Sequence, residues 1–265
     1  LIVLNFNPSP MPRQIGTIAF YTLLEALRNR LMWLIIAVAL IAIGISGFLN
    51  ELALTESRQI QIALLAALLR FSAVFLIATF VVTSMVREFN DKGLELLLAL
   101  PLPRAGYVLG KLAGFGALAL VPALLFGSLT MFFSPVAQSA QWTLSLICEL
   151  WIVAAFSLLC VLTFSQIMAA LSAVMALYLL ARSVAALQLI ASDPLNAATP
   201  SQQVINSVIN ALSALLPHLD EFTKTEWLVY HTGSWTTLSS LMVQGAIFLA
   251  LLVGAALFDL YRKNI

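Results

Sequence analysis

Charge is scarce in this chain and concentrated in one place. Arg87, Glu88, Asp91, Lys92, Glu95, Arg104 and Lys111 fall in a single stretch between two long apolar runs. Within it, Gly93 to Leu100 reads as a short helix with Leu94, Leu97 and Leu98 on an apolar side. Pro101 and Pro103 end that helix, because proline lacks a backbone N–H and its ring clashes with the preceding turn. A short amphipathic helix needs a groove to fill, in lipid or in a partner. Slung between two apolar runs, it is suited to be the handle by which a partner moves the chain.

Three more charges lie inside apolar runs: Arg70, Glu149 and Arg182. A charge within lipid is costly and usually pairs or faces a cavity. At about 1.5 Å per helical residue, all three fall in the same half of the membrane, so the expectation is that Glu149 pairs with Arg182 or Arg70. The competing expectation is that each arginine snorkels separately to the headgroups. Gly106, Gly110 and Gly114 recur every four residues, a spacing that lines one helix face and lets another backbone approach closely. That face is expected to serve either as ordinary membrane packing or as a joint that transmits motion from the 87–104 segment.

Other chemistries lack their residues. Gly106-Tyr-Val-Leu-Gly110-Lys111 has three residues between the glycines and Leu112 after the lysine, which is not a phosphate-binding loop. His218 and His231 stand near Asp220, Glu221 and Glu226 without tight ligand spacing, so no metal site is expected. No catalytic arrangement and no basic patch for nucleic acid stand out. Cys148 and Cys160, twelve positions apart in one run, would be about 18 Å apart on a helix and cannot bridge.

These residues must be held by membrane-spanning elements. Of the 265 residues, 62% are hydrophobic and only 9% charged, and mean hydropathy is +1.01. Ordinary soluble domains carry about 25% charge, so this is an integral membrane protein. Residues 13–30 read as an amphipathic helix in the membrane surface, or else the first part of a long tilted span. Six runs near the ~20 residues that cross a bilayer follow, at 31–49, 62–86, 107–133, 142–164, 167–191 and 237–258. Arg13, Arg28, Arg30, Arg87, Lys92, Arg104, Lys111, Arg262 and Lys263 gather on one side of this topology, and Arg58 and Lys224 on the other. The positive-inside rule therefore places both termini and the 87–104 segment in the cytoplasm. No signal peptide is read at the start. The long outer loop, 192–236, is expected to hold a helix with a Val204, Val208, Leu212 and Leu215 stripe, dipping into the outer leaflet or roofing the spans. Pro217 ends it, and a second piece runs from Glu226 to His231.

The run Arg87-Glu88, Asp91, Gly93, Leu94-Glu95, Leu98, Pro101, Pro103 and Gly110-Lys111 closely resembles the permease subunits of type 2 ABC exporters. The likeness is greatest to the branch of multi-copper enzyme maturation permeases, including the nitrous oxide reductase accessory permease. Leu215-Leu216-Pro217-His218-Leu219-Asp220-Glu221-Phe222, with Val229-Tyr230, is also similar to that branch's outer loop. Cytochrome c maturation permeases are a more distant likeness.

The resemblance implies an all-α integral membrane fold. It would comprise six transmembrane helices, an N-terminal interfacial helix and a cytoplasmic coupling helix, in one domain over 1–265. It implies a bacterial inner-membrane transporter subunit rather than an enzyme, moving an unidentified substrate out of the cytoplasm or inner leaflet. ATP and Mg would belong to a separate ATP-binding subunit, and two permease copies or homologues would meet as a dimer. Docking would fall on Arg87, Glu88, Asp91, Gly93, Leu94, Glu95, Leu97, Leu98, Pro101 and Pro103, with Arg28 and Arg30 as a second contact. The alternatives are an ABC-driven mechanotransmitter or scaffold acting on a periplasmic partner through 192–236, or a secondary transporter. The last would want inverted repeats or midplane carboxylates, which are not evident.

Overall fold

The computed structural model describes residues 11–52, 57–90, 104–164, 166–191 and 200–262, and the regular structure among them is entirely helical. In chain order the helices are α1 (Met11–Arg28), α2 (Leu31–Leu52), α3 (Ser57–Asn90), α4 (Arg104–Thr130), α5 (Val136–Thr163), α6 (Ile167–Ala191), α7 (Pro200–Leu215), α8 (Thr225–Val229) and α9 (Trp235–Arg262). Six of them, α2 to α6 and α9, are long and apolar enough to cross a membrane.

The middle of the bundle is α5. It packs against α3, α4, α6, α8 and α9, and Trp142, Leu146, Leu150, Leu158 and Val161 on it are buried. Around it, α2, α6 and α9 bury less and show broad apolar faces. Trp33, Leu40 and Phe48 on α2, and Val243, Ile247, Leu251 and Phe258 on α9, are exposed as lipid-facing side chains are. Pro122 lies inside α4, a position that membrane-spanning helices tolerate.

Several boundaries differ from the sequence reading. Instead of the expected 62–86, α3 runs from 57 to 90, so Arg87 and Glu88 ride on its last turns. Its start is polar yet useful: buried Gln61 donates to the Ser46 carbonyl and hydroxyl at 2.7 Å each, tying α3 to α2. Once a helix is nucleated, each further residue adds a backbone bond, so helices outlast their apolar runs. For the same reason α9 continues to Arg262. Residues 136–141, read as loop, open α5, with Pro135 just before the helix at φ −56°. Conversely, Met131, Phe132 and Phe133, read as the end of a span, form a turn whose amides bond back to Ser128, Leu129 and Thr130.

The 192–236 region divides. On α7, Val204, Val208 and Leu215 of the expected stripe are exposed, while Leu212 packs against the core. The chain after it does enter the core. Leu216, Leu219, Phe222, Thr223, Trp227 and Leu228 are all buried.

Candidate coupling site

One end of the bundle carries α1, the end of α3 and the start of α4. Along its length α1 packs against α4. That is closer than a helix merely lying in the membrane surface, and it follows from small residues on both sides. A Cβ on Gly110 would stand 2.8 Å from Ile18 Cβ, and one on Gly114 would stand 2.6 Å from Thr22 Cβ and 2.9 Å from the Ala19 carbonyl. Neither distance is one real Cβ atoms adopt, so the two glycines are what seats α1. Gly106 is buried one turn earlier on the same helix. The partner of this face is therefore the N-terminal helix, not another span. Exposed Phe20, Tyr21, Leu24 and Leu27 leave the remainder of α1's apolar surface free for the bilayer.

Charged groups complete the junction. Glu25 on α1 accepts from Ser84 Oγ at 3.0 Å and pairs with Arg87, both on α3. On the next residue of α3, Glu88 Oε2 is 2.5 Å from Lys111 Nζ on α4, and that lysine is almost wholly buried. Tyr107 is buried beside them. A cavity of about 580 Å³ opens between α1 and these groups, lined among others by Arg13, Tyr21, Glu25, Glu88, Tyr107 and Lys111. The three helices are thus joined by two ion pairs and a glycine seat, directly where the 91–103 connection leaves and returns.

Of the residues assigned to docking, Arg87 and Glu88 are engaged inside the chain by these pairs. Asp91, Gly93, Leu94, Glu95, Leu97, Leu98, Pro101 and Pro103 lie outside the described residues, as does the predicted 93–100 helix. Arg28 and Arg30 are exposed at the α1–α2 turn, where Asn29 Oδ1 accepts from the Arg30 amide at 2.7 Å.

The intramembrane charges meet near the opposite end, around the chain that follows α7. Glu149 is fully buried. Its Oε1 accepts from Tyr178 at 2.9 Å and lies 3.5 Å from Arg182 Nη1, while Oε2 accepts from Thr223 Oγ1 at 2.6 Å. Arg182 also donates to the Leu219 and Phe222 carbonyls at 2.6 and 2.9 Å, and Arg70 donates to the Thr223 carbonyl at 3.1 Å. So Arg182 is the ion partner of Glu149, and both arginines are spent on backbone carbonyls instead of reaching for headgroups. Sequence reading missed Glu25, Ser84, Tyr178 and Thr223, and also Ser145, whose Oγ accepts from the Thr223 amide at 2.9 Å. Tyr178 stands four residues before Arg182, and Ser145 four before Glu149, a same-face signal that was there to be used. Thr223 carried no such signal.

In the region of His218, its Nδ1 is 3.9 Å from Asp220 Oδ1. Among the described residues no three His, Cys, Asp or Glu side chains gather as metal ligands.

Residues 49–257 match the family model described as ABC-2 family transporter protein. The chain belongs to that family. Comparison with curated proteins finds no match. As an ABC-2 permease the chain is a membrane transport component, and membership implies an ATP-binding partner and, typically, a dimeric arrangement. The matched residues take in both ends of the 91–103 connection and the Glu149 cluster, while α1 precedes them.

Proposed function

We propose that this ABC-2 permease is the membrane-spanning half of an exporter, driven by a separate ATP-binding subunit that docks on the 87–104 segment. The observation that carries this reading is the braced junction of α1, α3 and α4. A connection whose two ends are held by Glu25–Arg87 and Glu88–Lys111 passes displacement into three helices at once. A connection slung between unbraced ends would absorb it. The distribution of lysine and arginine supports a cytoplasmic position for this junction and both termini, and the resemblance supports a bacterial inner membrane. ATP and Mg bind in the partner, two permeases form the pathway, and substrate leaves the cytoplasm or inner leaflet. The resemblance of the 215–222 outer segment supports the multi-copper enzyme maturation branch as the finer reading.

The test is co-expression with the ATP-binding subunit. Leu98→Asp and Glu95→Ala should detach that subunit or uncouple its hydrolysis while the permease stays monodisperse. Normal retention and normal hydrolysis in both variants would sink the docking assignment. Hydrolysis without solute movement into proteoliposomes would favour mechanotransmission over export.

A further inference from the structure

The segment 216–224 sits in the bundle like a plug, and what holds it is unusual. Thr223 is a β-branched residue at φ +45°, a conformation such residues avoid and keep only where the surroundings over-determine it. Every polar group it owns is taken by a different side chain. Its amide donates to Ser145 Oγ at 2.9 Å, its hydroxyl donates to Glu149, and its carbonyl accepts from Arg70. With Arg182 on the neighbouring carbonyls, three helices, α3, α5 and α6, converge on this one turn. Phe222, fully buried, fills the space beside Gly245 of α9.

A second anchor holds the following chain nearer its exposed end. Ser134 Oγ donates to the Leu228 carbonyl at 2.9 Å, and Gln138 bonds both the amide and the carbonyl of Gly233. That anchor involves only the α4–α5 turn and the start of α5. The deep anchor instead needs α3, α5 and α6 to keep their relative positions. α3 is one unbroken helix of 34 residues, and Arg70 lies on it about 25 Å from Arg87 at the coupling junction.

We propose that the Arg70–Glu149–Arg182 cluster is a latch on the 216–224 plug, that α3 is the lever which releases it, and that the plug is the gate at that end of the bundle. A shift of α3 driven at Arg87 and Glu88 carries Arg70 away from the Thr223 carbonyl. The strained turn then loses what over-determines it, and the plug leaves while the Gln138 anchor keeps it tethered. This rests on the coupling reading above for its driving force, but the latch itself does not.

The experiment separates the two. In a background with Cys148→Ser and Cys160→Ala, Leu219→Cys and Phe222→Cys serve as two independent probes of plug burial. Their labelling by a water-soluble maleimide is followed in lipid nanodiscs. In the permease alone, Arg70→Gln should speed labelling about tenfold over the parent, the effect of about 1.4 kcal/mol on a local opening equilibrium. Gln138→Ala should change it much less. Unchanged labelling in Arg70→Gln at both probes would overturn the latch. In the complex with the ATP-binding subunit, trapping with ATP and vanadate should speed labelling similarly. Trapping that leaves labelling unchanged at both probes would overturn the lever. A chain that retains no ATP-binding subunit would overturn the coupling reading and with it the driving force, and the Arg70→Gln arm would then decide the latch alone.

Discussion

Glu149 shows how a buried charge changes the meaning of a substitution. With no exposure, it takes bonds from Tyr178 and Thr223 and faces Arg182. Glu149→Ala would leave two arginines without a counter-charge and should cost about 3–5 kcal/mol, read as a large fall in thermal midpoint in detergent. Exchanging the charges, with Glu149→Arg and Arg182→Glu, should not restore stability. A glutamate at 182 cannot donate to the Leu219 and Phe222 carbonyls, so a failed exchange says nothing against the pair. Thr223→Val removes the hydroxyl and keeps the strained backbone, and should cost about 1–3 kcal/mol. Thr223→Ser should be close to neutral, because the bond to Glu149 survives. If Val and Ser behave alike in thermal unfolding, the hydroxyl does not matter.

Between elements, the joint of α1 on α4 is the most sharply defined contact. Gly114→Ala would press a methyl to 2.6 Å from Thr22 and should cost about 1–3 kcal/mol as overpacking. Gly116→Ala, on the same helix, meets only the Trp151 ring, Nε1 at 3.5 Å and Cδ1 at 3.8 Å, and should be tolerated. If the joint transmits motion, Gly114→Ala also weakens ATPase coupling and Gly116→Ala does not, as measured by permease-stimulated hydrolysis. The Glu88–Lys111 brace is tested by a double-mutant cycle with Ala at each position. Because Lys111 is nearly buried, the two losses should be non-additive by about 1 kcal/mol or more. Additive losses would mean that the pair is incidental.

At the scale of the molecule, the placement of basic residues predicts which end faces the cytoplasm. Asn29→Cys, in the exposed α1–α2 turn, should react with a membrane-impermeant thiol reagent only after cells are opened. Glu221→Cys, exposed on the opposite side, should react in intact cells. The reverse pattern would invert the topology and turn the proposed exporter's coupling face outward.

Much of this architecture was legible in the residues because the membrane imposes it. A span must be apolar over about 20 residues, so the six runs could be counted and the scarce charges between them noticed. The four-residue glycine repeat and the three intramembrane charges were equally visible. What no linear pattern could supply was the partner of each. Gly110 and Gly114 face α1 because Ile18 and Thr22 come within contact there, and spacing along α4 is indifferent to which helix arrives. Glu25 reads as an ordinary polar residue on α1 until Ser84 and Arg87 are found beside it, about sixty residues on. The seven-residue run Leu216–Phe222 reads from sequence only as part of the outer loop 192–236. Membrane hydropathy cannot distinguish a loop that lies on the bilayer from one drawn into the bundle, since both are apolar. Only the convergence of Arg70, Ser145, Glu149 and Arg182 on the backbone around Thr223 makes that choice, because buried charges and buried carbonyls each need the other.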